Sequence, residues 1–245
     1  MAQLYGKSSE YLLSQKLKNK YKALWVASWI FVSVAVYWLV IAYYRATWNS
    51  VILGTILLIV VNIVLHTIGG VFIRHAYKYK KGIRGENYVL QELLKLPDTY
   101  MIFRNIYIPH NFGNIDFIVL GPSGAYILET KYVNGLIDFD GNDLLCNGNL
   151  LEGKHVVAQV EKQFWDLHNY LKNTINEDIF ISPIIVFVYG NLKEHFEYAP
   201  IKKTIRIIDH RTIYKFFTSI THLDPKYPYL QVKRQLEKIS TEHSN

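Results

Sequence analysis

Two stretches of the 245-residue chain carry no charged side chain. The first runs from Ala23 to Tyr44, where Ser28 and Ser33 are the only hydroxyl breaks apart from the tyrosines. The second runs from Val51 to Ile73, with Asn62 and His66 as its polar members. At 1.5 Å per residue the first reaches about 33 Å, enough for a hydrocarbon core of about 30 Å. Helices crossing a membrane at 23–44 and 51–73 are therefore expected. Trp25, Trp29, Tyr43, Tyr44 and Trp48 lie near the ends, where aromatic rings favour the interface. The first stretch is longer than a signal h-region, lacks a small-residue cleavage motif and is followed by a second span, so a retained anchor is expected. The connection 45–50 is short and predicts an antiparallel hairpin.

Beyond Lys81 the periodicity changes. Val89, Leu90, Leu93 and Leu94 recur at helical spacing from Glu86 to Leu96, and Pro97 ends the pattern. Strands are predicted at Met101–Ile108, Asn114–Leu120 and Ala125–Lys131, the last two joined by Gly121-Pro122-Ser123-Gly124. A hairpin over Gly135–Phe139 and Leu144–Cys146 follows, then a turn at Asn147-Gly148-Asn149. From Lys154 to Thr174, Val157, Val160, Phe164, Leu167 and Leu171 form one helical stripe. Ile181–Tyr189 reads as a buried strand, Thr204–Ile208 as a short one, Arg211–Ser219 as a helix and the chain from Pro225 as a last helix. This order predicts an α/β sandwich with a mixed sheet.

Charge sharpens the division. Residues 1–22 hold five basic side chains and one acid, residues 74–84 hold five basic and none, and residues 85–245 hold 16 basic and 19 acidic. The net charge of +7 is thus concentrated beside the apolar stretches, and the large remainder stands at −3. The expected organisation is a basic cytoplasmic tail (1–22), two spans (23–73), a basic juxtamembrane linker (74–84), a globular domain (85–222) and a C-terminal helix and tail (223–245). The connecting loop holds only Arg45, so the positive-inside rule places both termini in the cytoplasm, with the hairpin in the inner (plasma) membrane. The basic clusters would attract anionic lipid headgroups by about 1 kcal/mol per charge. Asn62 and His66, one turn apart, suit a helix–helix hydrogen bond within the hairpin or a homo-oligomer better than an ion path. The single Cys146 excludes an internal disulfide.

Charged residues interrupt the apolar strands. Asp116 shares a face with Ile118 and Leu120; Glu129 and Lys131 share one with Ile127. A connection centred on Pro122-Ser123 pairs 120 with 125, 118 with 127 and 116 with 129, setting the two carboxylates about 5 Å apart at Cβ. A Gly124 bulge would shift this by one residue. Carboxylates so placed repel and lose hydration, and a divalent cation relieves both costs. Oxygen ligation by Asp116, Glu129, a backbone carbonyl (that of Thr130) and waters suits Mg²⁺ or Mn²⁺. Lys131, about 7 Å along the face, is placed to position a water and offset phosphoryl charge. Glu86 is a third acid for the water or a second metal. The competing reading is a solvated salt-bridge cluster, which the apolar surroundings disfavour.

Gly82-Ile83-Arg84-Gly85-Glu86, then Asn114-Ile115-Asp116-Phe117-Ile118, Ile127-Leu128-Glu129-Thr130-Lys131 and Asn134-Gly135 resemble the motifs of the NERD (nuclease-related) domain over roughly residues 80–190. That domain belongs with the PD-(D/E)XK nuclease-like superfamily, whose core is α-β-β-β-α-β. Gln159 falls where the family has a helical Gln. The resemblance implies Mg²⁺-dependent phosphodiester hydrolysis, with Asp116 and Glu129 as ligands, Lys131 at the water, and Glu86 and Gln159 in support. Ile115 stands where the superfamily often has Pro, His155-Val156 where Asn-Pro is usual, and the usual hairpin Trp is missing. His155 reads as a helix-start surface residue, and Phe164, Trp165 and Tyr170 as core; His110-Asn111 is too little for a histidine-based site. No Walker loop, nucleophile elbow or paired Cys motif occurs. The functions that fit are a membrane-tethered, cytoplasm-facing endonuclease acting on nucleic acid (DNA above RNA), or a catalytically idle module that binds nucleic acid or a partner.

Overall fold

A computed structural model of the protein describes residues 1–6, 10–44, 47–109, 114–151, 155–193, 196, 200–220 and 227–242. Arg45 of the connecting loop, the His110-Asn111 pair, Lys154, and parts of the C-terminal segment (223–226 and 243–245) lie outside the described residues. The chain divides into two units, Glu10–Ile83, and Met1–Ser9 with Arg84–Asn245.

The first unit is a pair of helices, α1 (Glu10–Tyr44) and the larger part of α2 (Trp48–Leu93). Both are long and apolar enough to cross a membrane, and almost none of their most apolar windows is buried, 6% in α1 and 0% in α2. Those windows are not packed as the core helices of a folded domain are. Asn62 makes the interhelical bond expected of it, its Nδ2 donating to Ser33 Oγ at 3.3 Å and to Leu58 O at 2.8 Å. Tyr37 Oη bonds the Thr55 hydroxyl and donates to Val51 O at 3.1 Å. A Cβ on Gly54 would lie 3.1 Å from the Tyr37 ring, so this small residue permits the close approach. His66 is exposed.

Helix boundaries depart from expectation in one respect. The segment 74–84 and the helix expected at 86–96 are one continuous piece of α2, which ends at Leu93. Gly82 and Gly85 each cost about 1 kcal/mol in a helix but do not remove a hydrogen bond, and the first proline is Pro97.

The second unit is built on an eight-stranded mixed sheet. Its strands are β1 (Gln3–Tyr5), β2 (Met101–Tyr107), β3 (Asn114–Gly121), β4 (Gly124–Phe139), β5 (Leu144–Cys146), β6 (Asn149–Leu150), β7 (Ile181–Leu192) and β8 (Arg206–Asp209). β2, β3 and β4 form an antiparallel meander; β7 lies parallel to β4, and β8 parallel to β7. The β5–β6 hairpin attaches at the far end of β4. Among the described residues, the end of α2 is joined in this unit by the α-helices α3 (Val156–Ile175), α4 (Ile213–Ser219) and α5 (Tyr229–Glu242).

Each sheet face buries an apolar layer. Ile118, Leu120 and Ile127 pack with Leu167 and Leu171 of α3 and Val232 and Leu236 of α5. On the other side Phe117, Val119 and Leu128 pack with Val89 and Leu93 of α2 and Ile213 and Phe217 of α4. Each fully buried Leu, Ile or Phe contributes roughly 1.5–3 kcal/mol relative to exposure. The order from the end of α2 through β2, β3, β4, α3 and β7 is the expected α-β-β-β-α-β core.

Two corrections concern strands. Residues 1–22 are not a free tail: β1 pairs parallel with β2, Tyr5 stacks on Phe103 at 5.0 Å, Ala2 is buried, and helix α1 already begins at Glu10. The segments 125–131 and 135–139 are one strand, β4. Asn134-Gly135 acts as a bulge where the β4–β7 register shifts, not as a turn, because parallel pairing with β7 resumes at Gly135.

Candidate functional site

The hairpin register is the expected one. Leu120 pairs with Ala125 and Ile118 with Ile127, around a two-residue Pro122-Ser123 loop in which Gly124 takes φ +126°. No bulge intrudes, and the regular ladder ends at Phe117 and Leu128. One residue further, Asp116 replaces backbone pairing with a side-chain bond, Oδ2 accepting from the Thr130 N–H at 2.8 Å. The other neighbour of Asp116 is irregular too. Arg104 pairs with Phe117 and Ile106 with Ile115, while the intervening Asn105 has φ +53°. Asp116 thus occupies a local opening of the sheet, with Glu129 and Lys131 beside it on β4.

Glu129 is 4% exposed and Lys131 8%. Glu129 Oε1 accepts from Lys131 Nζ at 2.7 Å and from Gln159 Nε2 at 2.8 Å. Its Oε2 accepts from Gln163 Nε2 at 3.0 Å, and the same amide donates to Asn114 O at 3.1 Å. Gln159 and Gln163 are one turn apart, so α3 offers a two-amide cradle to the carboxylate. Burying the ion pair costs desolvation that these added bonds offset. The start of α3 is fixed by Asp143, also buried. Its Oδ1 accepts from Leu144 N at 2.9 Å and Val157 N at 3.2 Å, and its Oδ2 bonds His155 Nδ1 at 2.9 Å. His155 is therefore a helix-start residue with an exposed ring, as expected, and not part of the acidic site.

The Asp116 carboxyl is raised well above the usual carboxylate range, first by burial and then by the charges of Glu129 and Glu86. The Thr130 N–H and the Lys131 charge pull the other way. Glu86 is buried at the end of α2, and its Oε2 accepts from Arg104 Nη2 at 3.0 Å. The same nitrogen donates to Asn87 Oδ1 at 3.2 Å, and the guanidinium lies 5.8 Å from the Phe117 ring centre. Gly85 allows this placement. A Cβ there would sit 3.1 Å from Tyr132 Cβ and 3.2 Å from Thr130 Cγ2, pressing α2 off the strand that bears Glu129. Glu86 thus neighbours the site and acts on Asp116 by charge, while its own carboxylate is bound to Arg104.

Asp116, Glu129, Lys131 and Gln159 are brought together; Glu86 stands one ion pair away. Three further residues went unnoticed in the sequence. Arg104 carried the same signal that singled out Asp116, a charge inside an apolar strand. Gln163 is signalled by its i, i+4 spacing from Gln159. Asp143 carries no signal beyond a turn-like context.

Among the described residues, no three His, Cys, Asp or Glu side chains are grouped to hold a metal ion. A cation here would rest on two carboxylates completed by backbone and water, a hard all-oxygen set of the kind Mg²⁺ and Mn²⁺ accept. A positive charge beside the Asp116 carboxyl, pushed up among negative neighbours, would stabilise its ionised form. In an extended strand the N–H and C=O of one residue point to the same side. Since the Thr130 N–H faces Asp116, its carbonyl is turned to that side as well. The residues present fit the ion.

Compared with known families, residues 81–188 match the nuclease-related domain, NERD, a segment that runs from the last turns of α2 to the middle of β7. No curated protein and no solved structure matches the chain.

Proposed function

We propose, from the premise that residues 81–188 are a nuclease-related domain, that the protein is a membrane-anchored, metal-dependent nuclease facing the cytoplasm. The observation that carries this reading is the meeting of Asp116, Glu129 and Lys131 at the point where the β3–β4 ladder opens. Asp116, Glu129 and the Thr130 carbonyl would hold Mg²⁺ or Mn²⁺. Bound there, the ion would polarise a phosphoryl oxygen and lower the pKa of a bound water. In the reaction a water oxygen bonds to phosphorus as one ester P–O bond breaks, and the departing oxygen takes up a proton.

The chain's own groups have distinct parts. The Lys131 ammonium, held by Glu129, supplies positive charge beside the phosphoryl group as negative charge grows. Gln159 and Gln163 fix the Glu129 carboxylate from two sides. Arg104 keeps Glu86 from adding its full charge to Asp116. The substrate on this reading is nucleic acid, DNA above RNA.

Anchoring rests on the exposed apolar helices α1 and α2. The placement of β1 in the domain's sheet supports a shared side for both ends of the hairpin. The chain leaves this unit after Ser9 and returns to it at Arg84, a path that suits two crossings. The basic segments 1–22 and 74–84 favour the cytoplasmic side and contact with anionic headgroups. One observation favours the second reading, an idle module: both Glu129 oxygens already accept bonds from protein donors. Each carboxylate oxygen has a further lone pair, so an ion can still be accommodated.

The test is cleavage of single- and double-stranded DNA and RNA by the full-length protein in detergent, with Mg²⁺ or Mn²⁺. Glu129→Gln and Lys131→Ala are expected to lose about 10²–10³-fold or more in rate, the usual scale for a charge-stabilising group. Equal rates in wild type and both variants would remove the assignment, and no cleavage by any would favour the idle module.

A further inference from the structure

On the sheet face opposite Glu129, an aromatic group gathers just past the acidic site. Tyr132 follows Lys131 on β4, and Tyr189 stands on the adjoining β7 at the point where the β4–β7 register shifts. The Tyr132 and Tyr189 rings meet edge-on at 5.3 Å, and Tyr88 meets Tyr189 edge-on at 5.6 Å. Tyr189 Oη donates to Tyr88 Oη at 3.1 Å. The His210 ring is 5.9 Å from Tyr88 and 6.1 Å from Tyr189.

Two features of Tyr189 are unlike those of a packing residue. The residue is open on one side, 48% exposed, although three aromatic rings surround it. Its backbone has φ +65°, a left-handed conformation that a bulky L-residue adopts only where surrounding structure enforces it. Such strain clusters at functional sites. Arg84 precedes Tyr88 by one turn of α2, on the same side of the helix. A rigid, exposed aromatic ring beside a guanidinium is the combination that binds an unpaired base and its phosphate.

We infer that Tyr189, braced by Tyr88 and Tyr132 and assisted by Arg84, is a stacking platform for an unpaired nucleobase. The nucleic acid this protein takes is therefore single-stranded or frayed where it meets this ring. A base inside a duplex has both faces covered and cannot reach the ring. Tyr189 stands about four residues of strand beyond Ile185, the β7 partner of Glu129, or roughly 13 Å along the sheet and on its other face. The inference rests on the nuclease reading for its location only.

The test is binding, without cleavage. Full-length protein in detergent is titrated, in excess EDTA, against a fluorescein-labelled thymidine oligonucleotide and a blunt duplex of equal length, read by anisotropy. Wild type is expected to prefer the single strand. Tyr189→Gly removes the ring at a backbone position that glycine adopts freely, so its melting temperature should equal or exceed that of wild type. It should bind the single strand about 5- to 100-fold more weakly, the range for one base–aromatic stack, with the duplex unchanged. Tyr189→Phe should keep most single-strand affinity, and Arg84→Gln should weaken both ligands and flatten the salt dependence. If Tyr189→Gly melts early, Tyr189→Asn, which also tolerates positive φ, replaces it. Equal single-strand affinity in wild type and the ring-less variant, or equal loss for duplex and single strand, would overturn the platform. Tyr189-dependent binding without any cleavage would overturn the nuclease reading and leave the platform standing.

Discussion

Arg104 and Glu86 are a buried ion pair, with side chains 7% and 4% exposed and 3.0 Å between charged atoms. Replacing Arg104 by Met keeps the apolar stem but leaves Glu86 charged and buried beside Asp116. Removing one partner of such a pair costs about 3–5 kcal/mol, because the remaining charge loses both water and counterion. For a domain of this size about 1 kcal/mol shifts Tm by roughly 2–4 °C, so a fall of about 6–20 °C is expected. The paired variant Arg104→Met/Glu86→Gln also removes the buried carboxylate charge and should recover most of the loss, giving a coupling of at least about 2 kcal/mol in a double-mutant cycle. Protease resistance against temperature, on full-length protein in detergent, reads the domain without depending on the tryptophans of the apolar helices. A fall under about 3 °C for Arg104→Met, or a double variant no more stable than the single one, would refute the view that Arg104 balances Glu86.

Other outcomes follow from the same geometry. The Asp116 carboxyl is raised by burial and by Glu129 and Glu86, so in metal-free protein its contribution to stability is full at low pH and is lost as pH rises through the raised value. A cation needs the ionised form, so the Tm gain from a fixed Mg²⁺ concentration should grow with pH across that same rise; a gain independent of pH in wild type would contradict it. Gly85→Ala should cost about 1–3 kcal/mol by overpacking against Tyr132 and Thr130, measured as a lower Tm, and an unchanged Tm would show that the helix–strand contact is loose. Deleting residues 2–6 removes the Tyr5–Phe103 stack, the buried Ala2 and the β1 ladder, so the domain should lose at least about 1 kcal/mol. A fragment beginning at residue 75 should share that loss, and equal stability of shortened and full chains would make β1 incidental.

Much of the site could be read from the residues because the β3–β4 hairpin is over-determined. The short Gly121-Pro122-Ser123-Gly124 connection fixes the register of two apolar runs buried on both faces, and that ladder ends one residue short of Asp116 and Glu129. Elements held by partners distant in sequence were less legible. Gln3-Leu4-Tyr5 has no periodicity of its own and becomes a strand only because β2 offers an edge. Asn134-Gly135 has the composition of a turn but is bridged as a bulge by β7, which lies some fifty residues later. The continuity of α2 through Gly82 and Gly85 depends on packing that offsets a modest propensity cost. Arg104 was legible in principle, as a charge in an apolar strand, but its partner lies on a helix 18 residues earlier. The strain at Tyr189 has no sequence signature at all, since nothing about a tyrosine foretells positive φ.

The central claim is that carboxylates on β3 and β4 together hold one hard dication. Titration of Mn²⁺ into the full-length protein, followed by the loss of the free-ion paramagnetic resonance signal, measures this without any substrate. One site per chain is expected in wild type, lost or weakened by at least tenfold in both Asp116→Asn and Glu129→Gln. Mn²⁺ binding that is absent in wild type, or unaltered by either substitution, would contradict it.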